Sequence, residues 1–137
     1  MTDTIRTAAA ALRAFAGGLP GAYEDHPWDE LVIKVNKKVF VFFGLETELE
    51  RRLYLGVKLP ATGVYALQLP GVTPMGYGLG KAGWVALQVP ADAALPALDM
   101  LQEWVEESYR AVAPKRLIAQ LDAARAPAAP GPAPSDP

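Results

Sequence analysis

Residues 32–43 read VIKVNKKVFVFF. β-Branched and aromatic residues fill both halves, which is the composition of strands. Asn36-Lys37 breaks the run between VIKV (32–35) and KVFVFF (38–43). That spacing predicts a tight hairpin, although the favoured Asn-Gly pair is absent. Two-residue alternation sends Ile33 and Val35 to one face and Lys34 and Asn36 to the other. KVFVFF is apolar on both faces and does not alternate in this way.

Two further segments repeat the strand pattern, LYLGVKL (53–59) and GWVALQV (83–89), with the polar connection GLETELERR (44–52) leading into the first. Leu53, Leu55, Val57 and Leu59 form one face, and Tyr54, Gly56 and Lys58 the other. Val85, Leu87 and Val89 point to the core, and Trp84, Ala86 and Gln88 point away. Helical spacing flanks these strands. Ile5, Ala8, Ala9, Leu12, Phe15 and Ala16 predict a helix over residues 4–17, stopped by Gly17-Gly18 and Pro20. Residues 19–31 read as a turn-rich connector. ATGVYALQL (61–69) predicts a short helix between Pro60 and Pro70-Gly71. Residues 92–112 predict the longest helix, capped by Asp92. Its apolar stripe is Leu95, Leu98, Leu101, Val105, Ser108 and Val112, with Trp104 and Tyr109 beside it. Asp99, Glu103, Glu106 and Glu107 form its opposite, wet face. Residues 115–125 predict a terminal helix with Leu117, Ile118 and Leu121 inward.

The order is helix, three strands, short helix, strand, long helix. This is an α+β pattern: one antiparallel sheet with helices packed mainly on one face and the other face open. Residues 1–125 make a single domain. The sequence from Ala126, APAAPGPAPSDP, has the Pro/Ala/Gly composition of a disordered tail over residues 126–137.

Composition narrows the function. The chain has 137 residues, half of them apolar and 20% charged, and no cysteine. Disulfide scaffolds, thiolate metal sites and cysteine nucleophiles are thereby excluded. No stretch approaches a membrane span, and the N-terminal segment lacks the basic start and unbroken apolar run of a signal peptide. The expectation is a cytoplasmic protein with no membrane partner. Net charge is −2, unevenly spread: −3 over residues 1–31, +3 over 32–58, +1 over 59–91 and −4 over 92–112. Such a dipolar chain can present one positive face.

The outward set Lys34, Tyr54, Lys58, Trp84 and Gln88 interleaves lysines with aromatics, a pattern that neutralises phosphates and stacks bases. The alternative is that loops cover Trp84 and Tyr54 and the lysines are only solvated. The loop GYGLGKAGW (76–84) is not a Walker A motif. Three residues, not four, separate Gly76 from Gly80-Lys81, and Ala82 follows. Its amides and Lys81 still suit a nucleic-acid phosphate. His26, the only histidine, has no partners at metal or triad spacing and reads as structural. Ser108 and Tyr109 lack a base. No catalytic residue, metal site or cofactor is expected, and the protein is not expected to be an enzyme.

Four segments in order carry a resemblance: FAGGLPGAYEDHPW (15–28), VIKVNKKVFVFFG (32–44), YLGVKL with LPGVTP (54–59 and 69–74), and YGLGKAGWVALQV (77–89) ending in SYRAVAPKR (108–116). Together they resemble the MmcQ/YjbR family, small bacterial proteins that carry a DNA-binding label. The resemblance covers residues 7–118. It implies a fold similar to the frataxin homologue CyaY. It also implies that Lys34, Lys58, Lys81 and Trp84, and the Ser108-Tyr109 pair, match the family's motif positions. The chain departs from the family at Gly78, Gly80 and Gly83, where many members have His or Asn. Base reading by side chains is lost there. Lys37 and Lys38 at the hairpin tip complete the candidate set. The leading expectation is a non-catalytic domain binding DNA or single-stranded nucleic acid through a basic sheet face. The alternative is a scaffold for a protein or small ligand.

Overall fold

A computed structural model describes residues 2–48 and 51–125. The proposed tail, 126–137, lies outside the described residues. The chain forms α1 (Thr2–Gly17), β1 (Ala22–Asp25), β2 (Glu30–Val35), β3 (Lys38–Leu45), β4 (Arg52–Lys58), α2 (Gly63–Ala66), β5 (Val72–Pro74), β6 (Trp84–Pro90), α3 (Leu98–Val112) and α4 (Lys115–Arg125). Short 3-10 turns occupy Pro27–Asp29, Glu46–Glu48 and Leu79–Ala82. The six strands make one antiparallel sheet in the order β1-β2-β3-β4-β6-β5. The class is α+β, as the pattern predicts. β6 inserts beside β4, and β5 is left at the edge.

The β2–β3 hairpin has the expected two-residue turn. Asn36 and Lys37 both take left-handed backbone, at φ 52° and 68°. This is the geometry that lets a two-residue loop follow the strand twist. The all-apolar KVFVFF has a specific cause. In the β2–β3 register Ile33 faces Val41 and Lys34 faces Val39, so Phe40 is skipped. Val32 faces Phe42 and Leu31 faces Gly44, so Phe43 is skipped. Each extra residue is a bulge that turns one more phenylalanine into the core. Phe40 and Phe43 are both fully buried there.

The core lies between the sheet and α1, α3 and α4. Leu12, Leu31, Ile33, Leu55, Leu87, Leu101 and Val105 are completely buried in it. Leu117 and Leu121 of α4 close one side, and Ile118 is partly buried against it.

Several expectations need correction. Residues 19–31 are not only a connector: Ala22–Asp25 pair with β2 as an edge strand. Val72–Pro74 is likewise an edge strand on β6. Both are too short and too polar to alternate visibly, and only the neighbouring strand orders them. The helix over 61–69 shortens to Gly63–Ala66, with turn hydrogen bonds continuing to Leu69. The long helix begins at Leu98, not Asp92, and its N-cap is Ala97. Pro96 accounts for this, because it drives the preceding residue out of the helical region. Leu98 is consequently 37% exposed, while Leu101 is fully buried.

The outer face of the sheet is not open. Val32, Trp84 and Ala86 are buried but stand apart from the main core. Trp84 packs edge to face on Phe42, with ring centroids 5.4 Å apart. Met75 sits over Gly56, its sulfur 3.1 Å from where a Cβ would be. The segment after β5 thus roofs the middle of this face.

Candidate nucleic-acid interface

Strand register places the lysines. Lys34 lies one residue from the end of β2, Lys37 and Lys38 form the turn and the first residue of β3, and Lys58 ends β4. Lys58 faces Trp84, the first residue of β6, and Lys81 lies in the 3-10 turn just before it. The Leu59 amide donates to the Gly83 carbonyl at 2.9 Å and ties that turn to the end of β4. In an antiparallel sheet these positions all share one end. Residues 31–45 and 51–91, which build most of the sheet, contain no Asp or Glu. The lysines at this end therefore meet no carboxylate from their own strands.

The five differ in availability. Lys34 donates to Asp25 Oδ2 at 2.6 Å across the β1–β2 pair. That contact raises the Lys34 ammonium above its ordinary value and lowers Asp25. Lys37, Lys38 and Lys81 are exposed, and Lys58 is half-buried. None of these four has an ion-pair partner among the described residues. Trp84 is only 8% exposed. Its ring belongs to the small outer layer with Phe42 and does not offer a face to a base. The covered-aromatic alternative holds for Trp84. Tyr54 is half-buried, its ring against Gly44.

Two cations that the sequence reading left out of the set belong nearby. Leu117 presses on Gly21, its Cδ1 2.8 Å from a Cβ position there. Ala22 follows Gly21 and faces Val35, which in turn faces Lys38. The first turn of α4 therefore sits beside the hairpin end and brings the exposed Lys115 and Arg116 with it. Their signal was in the SYRAVAPKR segment, but only the α3–α4 corner gives it a location.

Ser108 and Tyr109 position this end. The Ser108 hydroxyl donates to the Phe40 carbonyl at 2.5 Å and accepts from the Lys58 amide at 2.8 Å. The β3–β4 ladder runs through Phe42–Gly56 and Val41–Val57 and stops there. The buried hydroxyl bridges the next step, where the strands part. The Tyr109 hydroxyl donates to the Pro20 carbonyl at 2.5 Å, and its ring meets Phe40 edge to face. Burial raises this hydroxyl above the usual phenol value.

Several other charged groups form ion-pair networks elsewhere. Arg13 holds Glu24 through two bonds of 2.6 and 2.7 Å and reaches Glu46 at 3.3 Å. His26 Nε2 lies 3.3 Å from Glu46. The acidic face of α3 is wet only in part. Glu107 accepts from the Ala61 and Thr62 amides at 2.7 and 3.1 Å and from the Thr62 hydroxyl at 2.8 Å. It caps α2 from outside. Burial would raise Glu106, but Arg125 and Arg110 together hold it below the ordinary value. Asp99 and Glu103 alone are exposed. Among the described residues, no group of three or more His, Asp or Glu is placed to hold a metal ion. Nor is any described helix long and apolar enough to cross a membrane.

No curated protein matches this chain. The YjbR family model matches residues 17–111, more than half of its length and all six strands of the sheet, and the chain belongs to the YjbR family.

Proposed function

We propose that the protein is a non-catalytic nucleic-acid-binding domain that takes phosphates at the lysine-bearing end of its sheet. The observation that carries this reading is the set Lys37, Lys38, Lys58 and Lys81. All four stand at one end, unpaired among the described residues and within stretches, 31–45 and 51–91, that contain no carboxylate. Lys37 adds support. It occupies a left-handed position, φ 68°, where glycine would be easier. A strained residue stands there with its charge facing water. The interface works by backbone charge, because Trp84 is packed away and Gly78, Gly80 and Gly83 supply no side chains for reading bases. Sequence preference is weak as a result.

Anisotropy titrations of labelled duplex and single-stranded oligonucleotides over a salt series test this. Binding is expected at low salt. Removing Lys37 or Lys38 should flatten the log-affinity against log-salt slope by about 0.9 for duplex or about 0.7 for a single strand. Lys34→Ala should change the slope less, since Asp25 already neutralises Lys34. Absence of binding at low salt overturns the reading. A scaffold role then leads, favoured by the apolar surface of α2, where Val64 and Tyr65 are both exposed.

A further inference from the structure

The outer face of the sheet holds a hollow of about 430 Å³, away from the lysine end. Its floor is Phe42 and Tyr54, and Tyr77 stands at its mouth. Tyr54 lies over Gly44, whose missing Cβ leaves the ring only 3.5 Å from that position. Glu30, the first residue of β2, and Glu48, in the 3-10 turn after β3, supply two carboxylates to the wall. Neither has an ion-pair partner among the described residues. Arg52 also lines the hollow, but its guanidinium donates to the Gln88 side-chain carbonyl at 2.9 Å. Among the described residues, the wall therefore carries one net negative charge beside the rings of Phe42, Tyr54 and Tyr77.

Two further details point the same way. The Tyr54 hydroxyl has no hydrogen-bond partner among the described residues. Burial, and then the nearby Glu30 charge, raise it above the ordinary phenol value. It stays a neutral donor and acceptor at the floor. Tyr77 is fully exposed and sits at φ 59°. A bulky residue in that region costs energy that packing does not offset here.

We propose that this hollow binds a small organic cation, a protonated aryl- or alkylamine, with its ring or stem against Phe42, Tyr54 and Tyr77 and its ammonium toward Glu30 and Glu48. The volume falls in the range of small-molecule sites. Aromatic faces and unpaired carboxylates both favour a cation over an anion of the same shape. Leu79 of the wall shares the 3-10 turn of Lys81, but Lys37, Lys38 and Lys58 do not line the hollow, and cation binding there does not depend on them.

Tryptamine and indole-3-propionate share a ring system and carry opposite charges, so they separate charge from shape. Amide chemical-shift titrations of the full chain at neutral pH give both affinity and location. Tryptamine is expected to shift Gly44, Tyr54, Gly76 and Tyr77, and to bind at least about ten-fold more tightly than the acid. The double variant Glu30→Gln, Glu48→Gln should bring the two ligands to within about two-fold. Lys37→Ala with Lys38→Ala should leave tryptamine binding unchanged while weakening any oligonucleotide binding. Equal or preferred binding of the acid, shifts mapped outside the hollow, or no tryptamine binding at millimolar concentration would each overturn the proposal.

Discussion

At the scale of single residues, the most consequential side chain is Ser108. It is completely buried and satisfies two backbone groups on neighbouring strands. Ser108→Ala leaves both the Phe40 carbonyl and the Lys58 amide without it in a dry setting. The expected cost is about 1–3 kcal/mol, measured by urea unfolding. A loss below experimental error would mean that the strands close over the gap. Lys37 makes a contrasting case. Its left-handed backbone strains an L-residue, so Lys37→Gly should stabilise the domain by about 0.5–1 kcal/mol. The same change should weaken oligonucleotide binding, because it removes a cation from the proposed surface. If stability and binding move together, Lys37 is a fold residue and not a contact.

At the scale of elements, α3 shows how one proline resets a helix. The apolar spacing runs from Leu95 to Val112, but the helix starts only after Pro96. Leu98 then falls in the first turn and is 37% exposed, whereas Leu101 is enclosed. Leu101→Ala should cost about 2–5 kcal/mol through the cavity it leaves. Leu98→Ala should cost less than about 1 kcal/mol. Thermal or chemical unfolding of the two variants distinguishes them, and equal losses would place the start of the helix one turn earlier. The same helix shows that a polar face is not always a solvent face. Glu107 closes the open amides before α2, and α3 is joined to α4 by Glu106 with Arg125 and by Arg110 with Asp122.

At the scale of the whole molecule, ion pairs tie distant elements together, and acid should loosen them. Glu24 beside Arg13, Asp25 beside Lys34, Asp122 beside Arg110, and Glu106 between two arginines all titrate below their ordinary values. A carboxyl lowered on folding stabilises the native state above its unfolded value, which is 4.5 for Glu and 3.8 for Asp. The contribution is lost as pH falls through the folded values. The melting temperature should therefore be insensitive to these groups near neutrality and decline below pH 4.5. Glu106→Gln should remove part of that decline. A melting temperature independent of pH through this range would show that the pairs contribute nothing net, as many exposed pairs do.

Much of this was legible in the chain itself. Two-residue alternation in LYLGVKL and GWVALQV identified the core faces of β4 and β6, because one buried face leaves a period of two in the residues that fill it. Helical spacing located α1 and α4 for the same reason, with a period of 3.6. The apolar fraction and the ordered segments were enough for the α+β class and the YjbR family. What the chain alone did not reveal was set by neighbours in space. β1 and β5 are strands only because β2 and β6 offer unpaired edges. The excess apolar residues of KVFVFF became intelligible only once two bulges were seen in the register. Trp84 alternates outward as predicted, yet Phe42 packs against it, and the segment after β5 covers this face. Lys34 and Lys37 look equivalent in sequence. Only strand pairing gives Lys34 a carboxylate and leaves Lys37 without one among the described residues. Period and composition are properties of a local segment and can be read along the chain. Coverage, charge pairing and the completion of a ladder depend on residues far apart in the chain, so they emerge only when the fold brings those residues together.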